Sequence, residues 1–166
     1  DINSSAIRKD MTNFVKTVYY EPRERVNNIG FYDGTYRLSS IKDYYVEYEN
    51  NKLPGTVTIT YTGVGKYTGT YKATFTIAKL PITDDVVNLS ATEFKYNDQN
   101  QKPTVTVEGG GAMGENDYQI TNDGGTDPGE YEVTVTAAAN GNYSGSVIKK
   151  YRIVAKALTT DMISIT

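Results

Sequence analysis

An internal repeat constrains this chain more than any other feature. Tyr67-Thr68-Gly69-Thr70 recurs as Tyr143-Ser144-Gly145-Ser146, and Phe75-Thr76-Ile77 as Tyr151-Arg152-Ile153. Pro54-Gly55 recurs as Pro128-Gly129, and Asp43-Tyr44-Tyr45-Val46 as Asp117-Tyr118-Gln119-Ile120. The matched pairs lie about 75 residues apart, with small length changes in loops. A copy of that size is near the smallest that buries a core of its own. The repeat starts agree too. Ile82-Thr83-Asp84-Asp85-Val86-Val87-Asn88-Leu89-Ser90 matches the segment Leu158 to Thr166, and a weaker copy runs from Ile7 to Val15. The expected organisation is a first β repeat over 1–80, a second over 81–156, and the start of a third over 157–166. Short linkers are expected near Lys79-Leu80-Pro81 and Ala155-Lys156-Ala157.

Each repeat reads as strands. In Thr56–Thr62, Val57, Ile59 and Tyr61 alternate with Thr58 and Thr60. In Thr70–Ile77, Tyr71, Ala73, Phe75 and Ile77 alternate with Thr70, Lys72, Thr74 and Thr76. A period of two marks a half-buried strand. The second repeat does the same with Tyr131, Val133 and Val135, then Val147, Tyr151 and Ile153. Loops rich in Gly and Asn, Gly63–Gly69 and Ala139–Gly145, make each pair an antiparallel hairpin. Earlier strands are expected at Met11–Val15, Arg25–Tyr32 and Tyr44–Tyr48, matched by Val86–Leu89, Lys102–Glu108 and Tyr118–Thr121. Ser4–Val15 has an alternative helical spacing in Ile7, Met11, Phe14 and Val15. The 15 tyrosines, with frequent Thr and Val, suit pleated surfaces.

The predicted class is all-β: two tandem small antiparallel β-sandwich (Ig-like) domains, with β-grasp-like repeats as the alternative. Asp127-Pro128-Gly129-Glu130-Tyr131 supports the sandwich, because a Tyr opening the penultimate strand after an acidic turn resembles a tyrosine corner. The first repeat has Val57 at that position, which keeps the alternative open.

The stretch from Asp43 to Asn51 and then Pro54-Gly55-Thr56-Val57-Thr58-Ile59-Thr60 carry a family likeness. So do Gly65-Lys66-Tyr67-Thr68-Gly69-Thr70 and Phe75-Thr76-Ile77. The pattern resembles the Ig-like and MBG-type tandem repeats of large secreted or wall-anchored proteins from gut Firmicutes and Bacteroidetes. Both copies carry it. The second departs at Asn122-Asp123-Gly124-Gly125 and has two extra residues around Ala137–Asn140. The resemblance implies a structural spacer or adhesin repeat at the cell surface or outside the cell, and it implies no catalytic residues.

Composition agrees with a non-enzymatic reading. The chain has no cysteine, histidine or tryptophan. Thiolate nucleophiles, the usual general base and the commonest metal ligand are therefore missing. No cofactor is expected. The first repeat is net positive and the second net negative, yet neither has a basic stripe, so nucleic acid is not an expected partner. Mean hydropathy is −0.51, and no apolar run approaches the roughly 18 residues of a membrane span. The expected partners are neighbouring repeats and an extracellular glycan or host surface protein.

Two candidate sites follow. Tyr32, Tyr36, Tyr45 and Tyr48 occur only in the first repeat, and Tyr45 alternates away from Tyr44 and Val46 toward solvent. A cluster of exposed tyrosines offers contact area with a polar tip to a glycan or protein. These four are the ligand-binding candidates of a carbohydrate- or host-protein-binding module, the alternative function, which includes an accessory region of a larger glycan-active enzyme. Asp123, Asp127 and Glu130 are calcium candidates, because Ca²⁺ takes several oxygens from one loop. The same Asn, Asp, Gly and Pro residues are also what tight turns require. Lys149 is the one lysine in phase with core positions, but it aligns with Ala73, so a shared Lys–Asn crosslink is not expected. The sequons at Asn3, Asn88 and Asn142 match chance occurrence.

Overall fold

The structure is a computed structural model, and it describes residues 1–108 and 113–157. The expected third repeat start lies outside the described residues, save Ala157. The chain divides into two compact units, Asp1–Leu80 and Pro81–Thr166.

The first unit holds β1 (Ile7–Asp10), β2 (Thr17–Tyr19), β3 (Gly30–Asp33), β4 (Tyr36–Arg37), β5 (Tyr44–Glu49), β6 (Gly55–Gly63) and β7 (Thr70–Ala78). A two-residue strand, β8 (Leu80–Pro81), follows. The second unit holds β9 (Val87–Leu89), β10 (Glu93–Lys95), β11 (Val105–Val107), β12 (Tyr118–Thr121), β13 (Gly129–Ala137), β14 (Tyr143–Ser144) and β15 (Ser146–Val154). Among the described residues the helices are two single turns, Asp84–Val86 and Glu115–Asp117. None is long and apolar enough to cross a membrane.

Each unit is built on a four-stranded mixed sheet, ordered β2-β7-β6-β5 in the first and β10-β15-β13-β12 in the second. The registers agree pair for pair. Tyr44 faces Gly63 as Tyr118 faces Ala137. Gly55 faces Ile77 as Gly129 faces Ile153. Val18 runs parallel beside Ile77 as Phe94 runs beside Ile153. A smaller antiparallel sheet completes each unit, β1-β3-β4 in one and β9-β11 in the other.

The alternation of the long strands decides which face is buried. Val57, Ile59 and Tyr61 of β6, with Phe75 and Ile77 of β7, form one wall of the first core. Ile7, Ile29, Phe31 and Leu38 meet them from the other side. The Phe31 ring lies 4.9 Å from Tyr61, 5.4 Å from Tyr44 and 5.7 Å from Tyr71. Tyr61 is buried, and its hydroxyl oxygen accepts the Ile29 N–H at 3.1 Å. Burial pushes its phenol well above the ordinary value, so it stays neutral. Among the described residues the second core is smaller: Val133 and Val135, then Tyr143, Val147, Tyr151 and Ile153, with Ile82 and Val87.

Several expectations about the early strands are corrected. Neither a strand over Met11–Val15 nor a helix over Ser4–Val15 forms; the strand is Ile7–Asp10. Asp10 ends it, because its Oδ1 accepts the Thr12 N–H at 3.1 Å and the Thr12 hydroxyl at 2.6 Å, closing an Asx-type turn. Phe14 N–H then donates to Met11 O, and the Asn27 side chain takes both backbone groups of Val15. The match of Ile7 to Ile82 shifts accordingly. Ile2 N–H donates to Thr68 O as Ile82 N–H donates to Ser144 O, so Ile2 holds the place of Ile82. The expected strands Arg25–Tyr32 and Lys102–Glu108 shorten to Gly30–Asp33 and Val105–Val107.

Candidate functional site

The sandwiching of β3 and β4 over the β5 edge leaves a groove of about 700 Å³ in the first unit. One wall is β5, contributing Tyr44, Tyr45, Val46 and Tyr48. The other is Gly30 and Tyr32 of β3 with Arg37 of β4. Loop residues Val26, Asn28, Ser40 and Ile41 rim it, and Asp10 and Asn13 close one end.

Three of the four tyrosines singled out from the sequence, Tyr32, Tyr45 and Tyr48, therefore share one groove. Tyr45 is 53% exposed, as its alternation predicts. Tyr48 is anchored, its hydroxyl donating to Asn27 O at 2.6 Å. Tyr32 carries the Arg8 guanidinium 4.0 Å above its ring, a cation–π contact. Tyr44, read from the sequence as repeat architecture only, lines the groove as well. Burial raises the phenols of Tyr44 and Tyr48 above their ordinary value, so both are neutral hydroxyls at pH 7. By register the second unit has Gln119 and Asn122 where the first has Tyr45 and Tyr48.

Tyr36 is placed elsewhere. Its hydroxyl donates to Asp43 Oδ2 at 2.9 Å, outside the groove lining. Asp43 is 2% exposed and also accepts the Ser39 N–H at 2.9 Å. The Ser39 amide, then the Tyr36 hydroxyl and the charges of Lys42 and Lys66, hold its carboxyl below the usual range, against burial. A carboxylate whose folded pKa is lowered stabilises fully above the unfolded value of about 3.9, and that contribution is lost as pH falls through the folded pKa. Wild type should therefore lose urea stability between pH 5 and acid more steeply than Asp43→Asn. Parallel curves for the two would show that Asp43 is not so held.

The calcium candidates fall in a clasp. Asn100 Nδ2 donates to Asp123 O, Lys102 Nζ to Asn122 O, and Asn122 Nδ2 to Pro103 O. Gln101 and Gly125 exchange backbone hydrogen bonds of 2.8 and 3.0 Å. Asp127 O accepts the Tyr131 hydroxyl at 2.7 Å, a bond back to the backbone four residues upstream. Gly125 is required there, since a Cβ would stand 2.1 Å from the Tyr131 ring. Glu130 sits opposite Arg152 on β15. Among the described residues no group of three His, Cys, Asp or Glu is placed to hold a metal ion. Lys149 pairs with Asp84 Oδ2 at 2.6 Å.

The groove residues that sequence reasoning missed are polar. Arg37, Asn13 and Ser40 line the groove, and among the described residues their side chains have no hydrogen-bond or ion-pair partner. Asn28 makes one long contact, 3.5 Å, from the Tyr48 hydroxyl. Ile41 stands 76% exposed on the rim with φ of 75°, a left-handed backbone that a β-branched residue rarely takes. No protein-family model matches the chain, and no curated protein matches it.

Proposed function

We propose that this chain is a non-catalytic spacer and adhesin repeat of a secreted or surface-anchored bacterial protein. In this reading it is two tandem Ig-like sandwich units, and its recognition surface is the tyrosine groove of the first. The observation that carries the recognition role is the gathering of Tyr32 from β3 with Tyr45 and Tyr48 from β5 into one groove. Rigid aromatic rings with polar tips give contact area at low entropic cost, which suits a glycan or a protein surface.

The spacer role is supported by the repetition of one sheet order and one register in both units. Units that bury separate cores add length to a stalk without needing a new fold. The sandwich is favoured over the β-grasp alternative by the position of the parallel strand. β2 and β10 lie at the sheet edge, not between other strands. In the first unit β1, β3 and β4 pair in a separate small sheet, whose Phe31 packs on the face of the larger one.

The test is a mucin and glycan binding assay with the wild-type chain and Tyr45→Ala. Saturable binding is expected for the wild type, with at least about a tenfold loss in the variant, as for a central aromatic anchor. Equal binding by both would remove the groove as the recognition surface. No binding by a well-folded wild type would leave the spacer role alone.

A further inference from the structure

The groove carries one uncommitted charge. Its two charged lining residues are Asp10 and Arg37. Asp10 is occupied: Thr12 takes Oδ1, and Arg8 stands 3.5 Å from Oδ2. Arg8 is itself held over Tyr32. Arg37 has no hydrogen-bond or ion-pair partner among the described residues, and its charge is felt by the neighbouring Tyr44 phenol. The groove lining adds Asn13, Asn28 and Ser40, whose side-chain donors and acceptors are largely unused.

These groups define a ligand chemistry. Unused amides and hydroxyls beside an exposed ring suit a polyhydroxylated ring, which offers hydroxyls to the amides and an apolar face to the tyrosine. A free guanidinium fork suits a planar carboxylate, which it binds through two parallel hydrogen bonds. We propose that the groove binds an acidic saccharide, with a pyranose face against the Tyr45 ring and the sugar carboxylate on Arg37. The inference rests on the groove being the recognition surface and adds the charge and class of what it recognises. Asn28 and Ser40 fix the sugar hydroxyls, and Arg37 selects the acid.

Titration calorimetry with trigalacturonic acid, its methyl ester, 3′-sialyllactose and lactose tests it. The ester keeps the shape and removes the charge. At least one of the two acids should bind at least about tenfold more tightly than its neutral counterpart, the range of a charge-assisted pair. Which acid it is separates a uronic from a sialic source. Arg37→Gln should bring the acid down to the level of the ester or lactose. Tyr45→Ala should weaken acid and neutral sugar alike. Added salt should weaken only the acid. Equal affinity for acid and neutral sugar, or no effect of Arg37→Gln, would overturn the acidic assignment while the groove stands. Binding of mucin polypeptide but none of the four sugars would overturn the saccharide class. Failure of every ligand, mucin included, would overturn the groove itself.

Discussion

Phe31→Ala should cost the first unit about 3–5 kcal/mol, the range for truncating a fully buried aromatic side chain. Phe31 is fully buried, and its ring meets those of Tyr44, Tyr61 and Tyr71. It is the one large side chain that the small sheet sends into the aromatic face of the large one. Truncation leaves a cavity lined by three tyrosines, and the rigid β6–β7 pair has little freedom to close it. A small domain has about 5–15 kcal/mol in all, so the variant should be largely unfolded in moderate urea. NMR signals of Val133 and Val135, buried in a different core, should stay in place. Urea titration with both probes is the check. A loss below about 1 kcal/mol would mean that Phe31 is not the keystone of that packing.

Gly63→Ala should also be costly, and its counterpart predicts why. A Cβ on Gly63 would stand 2.8 Å from Thr68 N and Thr68 O and 2.9 Å from Tyr67 C. These are backbone atoms of the tight hairpin loop, so no side chain can swing aside. The hairpin must open, breaking the Gly63 N–H to Gly69 O bond of 2.9 Å. Overpacking of this kind costs about 1–3 kcal/mol. The second unit carries Ala137 at the same register position, and Ala137 N–H donates to Gly145 O at 3.0 Å. Two extra residues in its loop make room for the methyl group. Ala137→Gly should cost only about 0.5–1 kcal/mol, the backbone-entropy difference. Thermal melts of both variants decide it; equal small losses would mean that the first hairpin relaxes freely.

The two long hairpins are legible in the sequence because their strands run for nine residues each, long enough for a period of two to show. β5 is shorter, yet the alternation of Tyr44, Tyr45 and Val46 is enough to assign Tyr45 to the solvent side. β2 and β10 are not legible, since three residues cannot display a period. Their pairing is parallel and distant in sequence, so no turn signals it. Met11–Val15 misleads because its apolar residues suggest a strand, while Asp10 turns the chain just before them. Tyr32, Tyr45 and Tyr48 are visible by their restriction to one repeat, whereas Tyr44 recurs as Tyr118. Arg37, Asn13 and Ser40 are not, because exposed polar residues in loops and short strands carry no pattern of their own. Asp43 reads as a repeat marker, and only its partners Ser39 and Tyr36 reveal it as a buried brace.

The most direct measurement is an NMR shift map of the isotope-labelled chain titrated with mucin-derived glycans. Shifts confined to Tyr32, Arg37, Ser40, Tyr45 and Tyr48, absent from the corresponding Gln119 and Asn122, would show a recognition groove on the first of two like units. Saturable shifts centred on the second unit, with the first unmoved, would contradict it.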